Sequence, residues 1–178
     1  MKIRAAILIA ASTLALNACG KDNSPTQPTQ PTQSQAKFTA TMLPANEVPA
    51  VTNAEASGSG TMNITFNLTK DAAGNITDVT VDFAGSVTGF PAGMSLTAAH
   101  IHPGAAGTTG GVLLGTGITA GEVTFANGSG PITKSVGSGN LKPSDAAAII
   151  ANPAAYYFNI HTALNPGGVA RGQLVRVQ

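Results

Sequence analysis

Thr61-Met62-Asn63-Ile64-Thr65-Phe66-Asn67-Leu68 alternates without a break between a large apolar side chain and a small polar one. A β-strand points successive side chains to opposite faces, so a period of two makes one face dry and the other wet. Asp71, Ala72, Ala73, Gly74 and Asn75 follow with turn chemistry, and Val79, Val81 and Phe83 then alternate with Thr80 and Asp82. Two such runs joined by a short polar turn predict an antiparallel hairpin. Outward from it, further strands are predicted at residues 38–43, 96–102, 112–116, 122–126, 156–162 and 172–177. Spacing of this kind predicts an all-β domain, an antiparallel Greek-key sandwich or barrel. One short helix interrupts the pattern. Ser144 is the expected N-cap after Pro143, Asp145 sits in the first turn, residues 146–151 favour helix and Pro153 closes it, so that it plugs an open end or edge of the sheets.

Composition agrees with strands and short turns. The chain has 178 residues, 43% hydrophobic, 10% charged and 4% aromatic, with 21 Gly, 11 Pro and no Trp. That length fits one domain and excludes a large two-lobed α/β enzyme. The low charge excludes a coiled coil or helical bundle, which need charged residues at helical spacing. Formal net charge is +1. Removal of Lys2 and Arg4 with a leader takes the nine basic residues to seven against eight acids, which gives no basic surface for nucleic acid.

Residues 1–18 read as a signal peptide: Lys2 and Arg4, then an apolar run from Ala5 to Leu16, then Asn17 and Ala18 before the only cysteine, Cys19. The apolar run is about 12 residues where a spanning helix needs about 20, so it is not read as a transmembrane segment. Leu16-Asn17-Ala18-Cys19 resembles the bacterial lipobox, which implies lipid attachment at Cys19 and a membrane anchor. Gly20 after the cysteine favours the outer membrane by the same resemblance. Residues 19–37 carry the repeat Pro-Thr-Gln and no large apolar side chain. They are expected to form a disordered tether, with the folded domain at 38–178.

The three histidines lie in two of the predicted strands. His100 and His102 share a face, with Ile101 on the other; Tyr157, Asn159 and His161 share a face, with Phe158 and Ile160 on the other. If those strands are neighbours, three imidazoles converge opposite the core, a donor set that binds Zn²⁺ or copper with an open fourth position. Alternatively they hydrogen-bond turn carbonyls and orient the Gly-rich loop 104–111. Glu47 is expected to pair with Arg171, and Arg171 to clamp loop carbonyls. There is no Gly-x-Ser-x-Gly elbow, phosphate loop or paired-cysteine motif, and no catalytic residue is assigned.

Glu47-Val48-Pro49, Ala99-His100-Ile101-His102 with its Gly-rich loop, and the ending from Tyr157 to Thr162 through Pro166-Gly167-Gly168 to Arg171-Gly172-Gln173-Leu174 resemble the CHRD domain. That family, named for chordin, implies an all-β extracellular module. In animal chordin the domain belongs to a protein that binds growth factors. A fainter resemblance is to copper/zinc superoxide dismutases, whose copper ligands His100, His102 and His161 would match. The fourth histidine and the cysteine pair of that family are missing here, so dismutase activity does not follow. Two readings stay open: a lipid-anchored cell-envelope module binding a protein, glycan or matrix component, and a periplasmic protein binding one copper or zinc ion.

Overall fold

The computed structural model describes residues 30–178. The expected signal peptide, the lipid attachment site Cys19 and most of the expected tether lie outside the described residues. In chain order the strands are β1 (Thr32–Met42), β2 (Ser59–Lys70), β3 (Ile76–Thr88), β4 (Met94–Pro103), β5 (Leu114–Gly115), β6 (Thr124–Phe125), β7 (Gly130–Val136), β8 (Tyr156–Thr162), β9 (Ala170–Gln173) and β10 (Val175–Arg176), with helix α1 (Pro143–Ala151) between β7 and β8. One antiparallel sheet has the order β10-β1-β2-β3-β7; the second has β5-β4-β8-β9, with β6 on the other part of β4.

The two sheets pack face to face as a sandwich rather than closing into a barrel. Met62, Ile64, Phe66 and Leu68 of β2 and Val79, Val81 and Phe83 of β3 meet Ile101, Phe158 and Ile160 of the second sheet in one core. Phe83 and Phe158 touch across it with ring centroids 5.6 Å apart. At one corner Leu43 and Arg171 exchange both backbone hydrogen bonds, at 3.0 and 3.3 Å, which joins the end of β1 to β9.

The predicted hairpin is present, with Ile64 opposite Phe83 and Phe66 opposite Val81. Asp71 closes its turn by accepting hydrogen bonds from the backbone N–H groups of Ala73 and Asn75. On the wet face, side chains form a rung across four strands. Gln35 donates to Asn67 (2.7 Å), Asn67 donates to Asp82 (2.7 Å), and Ser135 donates to Asp82 (2.6 Å).

That rung explains two departures from expectation. The first strand starts at Thr32, not at residue 38, because Ala36 is small enough to be buried while Gln33 and Gln35 find partners on β2. The end of the expected tether, from Thr32 onward, is therefore strand. β7 was not anticipated, since Pro131 and Lys134 interrupt its alternation. It lies at the sheet edge, beside β3 alone, where a proline costs no ladder bond on its open side.

The helix is shifted relative to its predicted cap. Lys142, in extended backbone, is the N-cap and its carbonyl accepts from Asp145 and Ala146. Pro143 occupies the first helical position, where its missing N–H is no loss and its fixed φ fits. Ser144 is one residue inside and caps nothing. Ala146 and Ile149 are fully buried against the core, so the helix covers the sandwich beside β3. No helix among the described residues is long and apolar enough to cross a membrane.

Candidate metal centre

β4 and β8 are neighbours, with Ala98 opposite His161, His100 opposite Asn159 and His102 opposite Tyr157. Ala99, Ile101, Phe158 and Ile160 take the core face of these strands. The parity of a strand then sends His100, His102, Tyr157, Asn159 and His161 to the outer face, joined by Arg171 and Gln173 from β9. Potential ligand atoms of the three histidines lie within 4.8 Å of one another. Nitrogens bound to one ion at about 2.05 Å stand roughly 3 to 4 Å apart, so only a small adjustment of the rings separates this cluster from ligation.

The outer face is not wet, because two loops fold over it. After β4 the chain doubles back so that Leu113 N–H bonds Ile101 O, and Gly110 O comes to 3.0 Å from His102 Nδ1. After β8 the 163–168 loop brings Pro166 O to 3.0 Å from His161 Nδ1. A carbonyl can only accept, so Nδ1 of both rings carries the proton and both Nε2 atoms present lone pairs. His102 Nε2 is buried with no protein partner. His161 Nε2 lies 3.0 Å from His100 Nδ1. Histidines that hold a metal are fixed in this way, by an acceptor on the far nitrogen. The carbonyl contacts envisaged as the alternative to ligation are thus made, by the nitrogens that point away from the cluster.

Electrostatics keep the rings of His100 and His161 neutral. Burial, then the neighbouring His161 and His102, push His100 down to about 4; burial also lowers His161, against the pull of Pro166 O. The uncharged imidazoles of His100 and His161, crowded beside His102, are ready for a cation and resist a proton.

Arg171 and Glu47 do not form the expected ion pair. Among the described residues the ion pair is Lys134 with Glu122. Arg171, almost fully buried, donates to Thr108 O (2.8 Å), Ala105 O (3.3 Å) and Gln173 Oε1 (3.2 Å), and its guanidinium lies 3.7 Å from the centroid of the Tyr157 ring. The other face of Tyr157 stacks on His102 at 4.9 Å with 5° between planes. Arginine, tyrosine and histidine form one stack that ties the 104–111 loop to the cluster. Glu47 instead sits against Gly168, where a Cβ would fall 2.5 Å from its Oε1, and that oxygen is buried with no hydrogen-bond partner.

Burial pushes the Glu47 carboxyl up to about 7, while the Arg171 charge and a hydrogen bond from Asn159 pull it back. The folded chain thus keeps a proton that the unfolded chain releases near 4.5. This contribution to stability is full below 4.5 and is lost as pH rises through 7. Glu47→Gln, neutral at every pH, is expected to match the parent at pH 5 and to exceed it by about 1 kcal/mol at pH 8, after discounting for solvent screening. Urea titrations at the two pH values measure this; a loss of stability at pH 8 would restore the ion pair.

Several residues around the cluster carry no motif of their own. Glu55 is buried and accepts from Thr162 Oγ1 (2.7 Å) and from Asn165, which anchors the loop that supplies Pro166 O. Asn159 is 1% exposed and places Oδ1 3.0 Å from His161 Nε2. Strand parity groups Asn159 with His161 and Tyr157, but an asparagine and a tyrosine in a strand do not by themselves signal a site.

A two-sheet β-sandwich with a histidine cluster under clamped loops on its outer face is an all-β module. The CHRD domain family matches residues 38–174, and the chain belongs to that family. Neither the curated proteins nor the solved structures contain a match.

Proposed function

We propose that this CHRD domain binds one copper or zinc ion through His100, His102 and His161, in an exported chain held at the bacterial envelope by lipid on Cys19. The observation that carries the reading is His102: its Nδ1 is committed to Gly110 O while its Nε2 lone pair is buried and unpartnered beside two further imidazoles. A buried polar atom without a partner costs about 1 to 3 kcal/mol, which a bound cation would recover. The signal-like leader, the lipobox-like segment and the Pro-Thr-Gln repeat support the location.

The test is a titration of the purified chain with Cu²⁺ and Zn²⁺, beside a variant with all three histidines replaced by alanine. One equivalent is expected to bind the parent and none the variant. Because His100 and His161 titrate below the usual imidazole range, affinity should fall by less than about tenfold between pH 7.5 and pH 6, and steeply nearer pH 4. Binding that does not depend on the histidines would end this reading.

A second reading, recognition of an envelope protein or glycan, draws on a cleft of about 290 Å³ beside Glu47, with the exposed side chains of Val48 and Leu164 at its rim. It predicts partner capture that survives loss of the histidines.

A further inference from the structure

We propose that Asn159 Oδ1 is a fourth, oxygen donor to the metal, giving a tetragonal N₃O site of the kind copper(II) takes; this rests on the three-histidine reading above. His161 Nε2 faces both His100 Nδ1 and Asn159 Oδ1 at 3.0 Å. With Nδ1–H given to Pro166 O, His161 Nε2 has only a lone pair to offer, and Oδ1 of an amide likewise only accepts. Two acceptors at that distance repel unless a cation lies between them.

Turned over, the amide would instead donate to His161 Nε2, and the variants below separate that hydrogen bond from a ligating oxygen. A metal ion at the histidines gives the amide oxygen a partner where it stands, 3.0 Å from His161 Nε2.

The spacing agrees. Donors bound at about 2.05 to 2.1 Å and standing 3.0 Å apart subtend about 90° at the ion, whereas a tetrahedral site would separate them by about 3.3 Å. Both separations at His161 are thus those of cis positions in a tetragonal field, the preference of copper(II) with N and O ligands.

The test is copper(II) titration with electron paramagnetic resonance of the full chain, comparing the parent with Asn159→Ala and Asn159→Asp. Asn159→Ala is expected to keep one equivalent bound, with affinity lowered about 10- to 100-fold and an altered parallel hyperfine splitting. Asn159→Asp, which keeps an oxygen donor and adds charge, is expected to bind at least as tightly as the parent. An affinity and spectrum in Asn159→Ala equal to those of the parent would overturn the oxygen ligand and leave the histidine site standing. Weaker binding by a folded Asn159→Asp, confirmed by circular dichroism, would overturn it too. Failure of the parent itself to bind copper would instead remove the three-histidine reading.

Discussion

His161→Ala is expected to weaken copper or zinc binding by more than about a hundredfold while leaving the sandwich folded. His161 is the centre of the cluster: its Nε2 is in contact with His100 Nδ1 and with Asn159 Oδ1, and no other group can take its place between them. Altering groups that merely orient metal ligands already costs roughly 10- to 100-fold, so loss of a ligand itself costs more. The fold should survive because β8 is held by Phe158 and Ile160, which are fully buried on the opposite face. Calorimetric titration gives the affinity directly. Thermal melts give a second readout, since a ligand that binds the native state alone raises the midpoint, and the variant should lose that rise. Unchanged affinity in the variant would rule out the site.

Arg171→Ala is expected to destabilise the domain by about 3 to 5 kcal/mol, and Arg171→Lys by nearly as much. The guanidinium is buried with three acceptors and an aromatic face around it, and each of those groups is left without its partner when the arginine goes. Lysine keeps the charge but not the planar fork that reaches two carbonyls at once or the flat surface that stacks on Tyr157. The loss should extend to the metal. The carbonyls clamped by Arg171 belong to Ala105 and Thr108, in the same loop that supplies Gly110 O to His102. Urea unfolding measures the first effect and copper titration of the folded fraction the second. Full stability in Arg171→Lys would mean that charge alone holds the loop.

The strands that alternate cleanly were legible in the sequence, and the edge strand Gly130–Val136 was missed. Met62 to Leu68 and Val79 to Phe83 each have one apolar face, so the hairpin followed from periodicity. Gly130–Val136 lies at an edge with proline and lysine in it, and only its pairing with β3 makes it a strand. Gln33 and Gln35 look like spacer residues until Thr69 and Asn67 stand opposite them.

At the site, parity put His100 and His102 on one face and His161 on a face of its own strand. That β4 and β8 are neighbours is a long-range pairing that local periodicity cannot supply. The Glu47 and Arg171 pairing failed for a related reason. Opposite charge suggests a partner, but backbone carbonyls in the 104–111 loop, which carry no signal in a sequence, satisfy the arginine first. Asn159 was visible only as a neighbour by parity; what sets it apart is its contact with His161 Nε2, the nitrogen that the Pro166 carbonyl leaves bare.

The first strand also sets a direction. Thr32 pairs with Lys70 beside the β2–β3 turn, while the other end of β1 passes into Leu43 and the seam with Arg171. Ten steps of about 3.3 Å separate those ends, roughly 30 Å along the sandwich. The seam with Arg171, and the 104–111 loop that Arg171 clamps over the histidines, therefore stand at the end of the sandwich away from Thr32.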